Sequence, residues 1–103
     1  MLANLYLLLG RAHLEAGDEA GALAALRSAA GVAARHGPAR IHGEARMELA
    51  EAALRAGDPT GACEQWQMAR MAFLDAGSKA EGEAIDRRMR ASGCPTDWVL
   101  TDF

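Results

Sequence analysis

The residue pattern predicts an all-α chain of five helices folded as antiparallel hairpins, and three observations carry that expectation. The 103 residues are dense in Ala, Leu, Arg and Glu, all strong helix formers. β-Branched apolar residues are scarce, limited to Val32, Val99, Ile41 and Ile85, so no alternating strand pattern exists. Glycine and proline fall at spaced breaks, with Pro38, Pro59 and Pro95 each interrupting an otherwise helical run.

The breaks set the elements in order. A first helix over 2–16 runs into Gly17-Asp18, where glycine suits a helix C-cap and aspartate the next N-cap. A second helix over 19–36 stops at Gly37-Pro38, and a third over 39–56 stops at Gly57-Asp58. Pro59 then opens a fourth helix over 59–76, at the first-turn position where a missing N–H costs nothing. A fifth helix over 79–92 gives way to a tail at Gly93. Links of a few residues favour each helix turning back on its predecessor.

An internal repeat strengthens this order. Shifted by 40 residues, Leu9-Gly10 falls on Leu49-Ala50, Ala16-Gly17-Asp18 on Ala56-Gly57-Asp58, and Gly21-Ala22 on Gly61-Ala62. Leu26 falls on Trp66, Ala29 on Ala69, and Gly37 on Gly77. Two-helix units repeated at this length imply an α-solenoid, in which each hairpin buries its apolar face on its neighbours. The units are repeat one over 2–37, repeat two over 39–77, a half repeat over 79–92 and a tail over 93–103, forming one domain. Small residues (Gly10, Ala22, Ala29, Ala50, Ala62 and Ala69) permit close helix approach, and Leu9, Leu14, Leu26, Leu49, Leu54 and Trp66 are the expected filling.

Composition narrows the function. Half the residues are apolar, which excludes a disordered tail, and a net charge of −3 leaves no basic surplus for nucleic-acid phosphates. No stretch approaches the roughly 20 apolar residues of a membrane helix, and Met1–Leu9 lacks the basic lead-in and cleavage site of a signal peptide. Cys63 and Cys94 belong to no CxxC or Cys/His cluster, so Cys63 is expected as a small buried helix residue and Cys94 as a loop residue, both suited to a reducing cytoplasm.

Catalytic signatures are missing: the chain contains no GxGxxG, GxxxxGK[ST], HExxH or GxSxG. No enzyme, metal or cofactor is therefore expected. His36, His42 and Glu44 flank the turn at Gly37-Pro38, too few and too dispersed for a zinc site, and His13 is expected in a helix–helix contact. Acidic residues sit at helix starts or four residues from an arginine, as in Arg11 and Glu15, Glu51 and Arg55, and Glu83 and Arg87. Glu44 and Glu48 share this spacing and should repel on a solvated face.

The pattern Leu-Gly, then Gly-Asp, then Ala, a large apolar residue and Ala resembles tetratricopeptide repeats over about 90 residues. The period of 40 exceeds the usual 34, implying helices longer by nearly a turn, and Ala34 and Leu74 replace the family's frequent proline. Among longer-period relatives, Trp66-Gln67-Met68-Ala69-Arg70-Met71-Ala72-Phe73-Leu74-Asp75-Ala76-Gly77 is similar to the final repeats of actinobacterial-type transcriptional regulators. The resemblance implies a right-handed stack whose first helices line a concave face. It places Asn4, Leu7, Arg11, Leu14 and Glu15 beside Glu44, Met47, Glu51, Leu54 and Arg55, with Arg87 from the third copy. Such a face suits a protein or peptide partner, with core packing the equal alternative for Leu7, Leu14 and Leu54. The family's clamp for C-terminal carboxylates would need Lys and Asn where Leu7, Arg11, Met47 and Glu51 stand.

Both ends add expectations. Leu5-Tyr6-Leu7-Leu8-Leu9 is apolar on every side of a helix, which implies cover from a preceding repeat or a second subunit. Trp98, Leu100 and Phe103 are expected to fold back over the last helix. The expectation is a non-enzymatic, cytoplasmic interaction module, the terminal segment of a larger regulator. The alternative is a free-standing small-molecule sensor with a ligand near Tyr6, Met47, Trp66 and Phe73.

Overall fold

In the computed structural model, which describes residues 2–95, the helices are α1 (Leu2–Glu15), α2 (Glu19–His36), α3 (Ala39–Arg55), α4 (Pro59–Asp75) and α5 (Lys79–Ala91). The chain is all-α, with no strand among the described residues. Four of the expected C-terminal boundaries move inward by one residue. The reason is visible at Ala56 and Ala76, which keep helical-sign backbone angles but already belong to the turn.

Three of the turns share one hydrogen-bond design. Gly17, Gly57 and Gly77 adopt φ of +79°, +77° and +77°, a left-handed conformation that costs glycine no Cβ clash. Beyond each, the next N–H reaches back to a helix carbonyl: Asp18 to His13 at 2.8 Å, Asp58 to Ala53 at 2.9 Å and Ser78 to Phe73 at 2.8 Å. These bonds satisfy carbonyls that the helix end leaves unpaired. The aspartates then serve the following helix, since Asp18 Oδ1 accepts from Gly21 N at 3.0 Å and Asp58 Oδ1 from Gly61 N at 2.9 Å. The Gly37-Pro38 turn differs. Gly37 pairs only with Ala33, and Pro38 caps α3 without a side-chain bond.

Each helix packs on the one before and the one after it, and α1 also touches α3. The core forms in two clusters. Leu7, Leu26, Ala29, Ala30, Ala45 and Leu49 fill the α1–α2–α3 region, while Trp66, Phe73, Ile85 and Met89 join Ala50, Ala62, Cys63, Ala69 and Cys94 in the α3–α4–α5 region. Close approach depends on small residues: a Cβ on Gly10 would meet Leu26 at 2.8 Å, and one on Gly43 would meet the Phe73 ring at 2.8 Å. No charged side chain is buried among the described residues.

Of the expected filling residues, Leu26, Leu49 and Trp66 are buried, and Leu14 and Leu54 are half-buried against the clusters. Leu9 is a correction, because it is 46% exposed. Its repeat partner Leu49 lies in a helix enclosed by α2 and α4, whereas α1 has neighbours only in α2 and α3. Leu9 therefore only borders α2 and lacks the enclosing neighbours that bury Leu49. The expected cover from Trp98, Leu100 and Phe103 falls outside the described residues.

Candidate interaction surface

The residues expected to line a binding face divide into three groups. Leu7 is a correction: it is 1% exposed and belongs to the cluster around Leu26, so no partner reaches it. Its side chain points inward because α1 contacts both α2 and α3 there.

The second group is charged and already paired within the fold. Arg11 donates from Nε to Glu48 at 2.9 Å and from Nη2 to Glu44 at 3.2 Å, bridging α1 to α3. Glu44 and Glu48 thus share a cation, and the expected repulsion between them is replaced by a clamp. These bonds, that to Glu48 foremost, push the Arg11 pKa up. Glu51 pairs with Arg88 of α5 at 2.7 Å, and Arg55 with Glu19 of α2 at 3.3 Å. Expected intrahelical pairs therefore give way to interhelical ones. Glu83 and Arg87 form no ion pair among the described residues.

A residue missed in the sequence, Arg40, completes the charged seam. It donates to both oxygens of Glu81, at 2.8 and 2.9 Å, a bidentate geometry that fixes α3 against α5. The same guanidinium stands 5.8 Å from the Phe73 ring centroid, and Arg88 stands 5.1 Å from that of Trp66. Both cations lie over aromatic faces, where the ring quadrupole attracts them.

The third group stays accessible. Asn4, Glu15 and Arg87 are exposed. Met47 lines a hollow of about 230 Å³ with Phe73, Glu81, Ala84 and Ile85. Tyr6 lines a separate hollow with Leu9, His13, Gly21, Ala24, Ala25 and Ser28, and Trp66 is fully buried. Among the described residues, Tyr6 and Met47 thus line different hollows, and Trp66 lines neither.

Histidine positions are likewise resolved. His13 Nδ1 lies 3.0 Å from Asp18 Oδ2, at the α1–α2 turn. His42 Nε2 accepts from Arg46 Nε at 3.1 Å, and burial, reinforced by the Arg46 charge, lowers the His42 pKa. No group of three or more His, Cys, Asp or Glu converges among the described residues.

The sequence marked 5–9 as apolar on every side; the structure selects which of these leucines face outward, and it also pairs the cysteines. Leu2, Leu5, Leu8 and Leu9 are 52%, 62%, 54% and 46% exposed, and together they form an apolar face on α1. The alternate 3–4 spacing of Leu2, Leu5 and Leu9 was the available signal for a seam that meets another helix. The pairing is a correction to the cysteines, which are not independent. Cys63 and Cys94 form a disulfide with a Cα–Cα distance of 5.6 Å. Antiparallel packing brings the start of α4 beside the end of α5, so the positions of Cys63 early in α4 and Cys94 just after α5 carried the information. Tying residues 31 apart restricts the unfolded chain by about 3–4 kcal/mol.

No helix among the described residues is long and apolar enough to cross a membrane. Comparison of the chain with protein-family models, curated proteins and solved structures finds no match.

Proposed function

We propose that this chain is a protein–protein interaction module, a tetratricopeptide-like α-solenoid segment of a larger cytoplasmic regulator, without catalytic activity. What carries the reading is the outer face of α1, where four leucines stand about half exposed on a stretch with no charged residue before Arg11. Apolar surface of this kind gains free energy when it is covered, at about 25 cal/mol per Å². The repeated Gly-Asp turns and the consecutive packing of α1 to α5 support a stack that further hairpins extend. The paired groove of Arg11, Glu44, Glu51 and Arg55 acts mainly as an internal brace, with Asn4, Glu15, Met47 and Arg87 left for contact. The acidic balance of the chain disfavours nucleic acid as the partner.

Light scattering of the purified chain tests this reading. The expected result is concentration-dependent association that Leu5→Glu with Leu9→Glu abolishes while the thermal melt stays in place. A chain that remains monomeric at hundreds of micromolar, with the double variant indistinguishable from it, overturns the assignment of α1 as the docking face.

A further inference from the structure

α5 packs its helix surface on α4 alone. It buries only Gly82, Ile85 and Met89. Its ion pairs, Arg40 with Glu81, Glu51 with Arg88, and Arg70 with Asp86, all retain solvent access, where salt screens them and each contributes little. Beneath it lie the largest apolar side chains of the chain's second core, Trp66 and Phe73, with the half-buried Met47. The remaining constraint is covalent. Gly93 ends α5 in a left-handed turn, Cys94 N–H reaches back to Met89 O at 2.9 Å, and the Cys94 sulfur is bonded to Cys63, early in α4.

We propose that the Cys63–Cys94 pair is a thiol–disulfide exchange site whose oxidation state decides whether α5 stays docked on α4. A small external thiol supplies the chemistry, and because Cys63 and Cys94 are each 5% exposed it reaches a sulfur when the end of α5 opens locally. Its thiolate attacks one protein sulfur, forming a mixed disulfide and expelling the other as a thiolate, which takes up a proton. A second external thiol then displaces the first, leaving two protein thiols and one small-molecule disulfide, a two-electron transfer from the external pair to the protein. In the reduced chain, α5 keeps only its short apolar stripe and screened ion pairs, so it opens more often and uncovers Trp66, Phe73 and Met47. Oxidation by a small-molecule disulfide runs the steps in reverse and closes the clip. This step rests on the cytoplasmic location proposed above, since disulfides in a reducing cytosol are rare and commonly transient or redox-sensing. The proposal does not depend on what covers α1, since α5 opening is read separately from association.

The test uses the whole chain purified without reductant, with thiols counted by alkylation and mass spectrometry before and after treatment with a dithiol. Amide hydrogen exchange is then measured in both states. Reduction is expected to speed exchange over 79–91 by on the order of tenfold or more, while α1 to α3 stay unchanged. Cys94→Ser should show the fast α5 exchange without reductant and no further response to it. Two free thiols in the unreduced chain, equal α5 exchange in both states, or acceleration spread evenly over all five helices would each overturn the proposal.

Discussion

Leu7→Ala separates a core residue from a binding residue. Leu7 is 1% exposed and sits among Leu26, Ala29, Ala30, Ala45 and Leu49. Three of those five neighbours are alanines, which have no rotamers with which to fill a vacated space. The cavity should therefore persist, placing the cost in the middle of the 2–5 kcal/mol range for such truncations, at about 3–4 kcal/mol. For a domain of this size, each kcal/mol lowers Tm by about 4–8 °C, so a drop of roughly 12–30 °C is expected. Leu5→Ala, at a position 62% exposed, should stay within about 0.5 kcal/mol of the parent. Far-UV circular dichroism during heating, with a parallel urea titration, measures both. A Leu7→Ala protein that melts within a few degrees of the parent refutes the core assignment. One that loses a partner while keeping its stability restores Leu7 to the binding face.

Three further outcomes follow from the helix contacts. Gly43→Ala places a methyl group 2.8 Å from Phe73 and should destabilise by about 1–3 kcal/mol, whereas Gly31→Ala meets open space within α2 and should stabilise by about 0.5–1 kcal/mol; both are read by chemical denaturation. Asp58→Ala removes the acceptor for Gly61 N and should cost about 1 kcal/mol, with the loss of amide protection concentrated in the first turn of α4. His42 has a lowered pKa in the folded chain, so below its ordinary value of 6.5 the unfolded chain binds the proton more readily. Its contribution is thus complete above about pH 6.5 and is lost as pH falls toward and through the folded value. His42→Gln should flatten the fall in Tm between pH 7 and 5, and an unchanged slope would contradict the assignment.

Secondary structure was legible because the signals are local. A left-handed glycine, a capping aspartate and Pro59 each act within one turn of their own position, and the helices begin where those residues stand. The buried positions of Leu26 and Trp66 were legible for a related reason, since the repeat marks equivalent environments. The same logic failed at Leu9. Equivalence between repeats holds only where both copies have neighbours on both sides, and α1 lacks the second neighbour that encloses Leu49.

The candidate surface was legible in composition but not in pairing. Arginine and glutamate four residues apart implied local ion pairs, yet Arg11, Arg55 and Arg88 all reach across to other helices. A long guanidinium stem spans the gap between packed helices as readily as one helical turn, so sequence spacing alone does not choose its partner. The disulfide depended on the same kind of information.

Taken by itself, the amino-acid order determined the all-α class, the helix limits to within one residue, the 40-residue repeat and the small-residue positions where helices touch. Those properties arise from backbone propensity, capping and short-range sterics. Tertiary structure alone decided that Leu7 turns inward, that Leu2, Leu5, Leu8 and Leu9 face outward, that Arg11 clamps Glu44 and Glu48, and that Cys63 meets Cys94. Each of these depends on distances between helices, which are set by how five helices share two small core clusters.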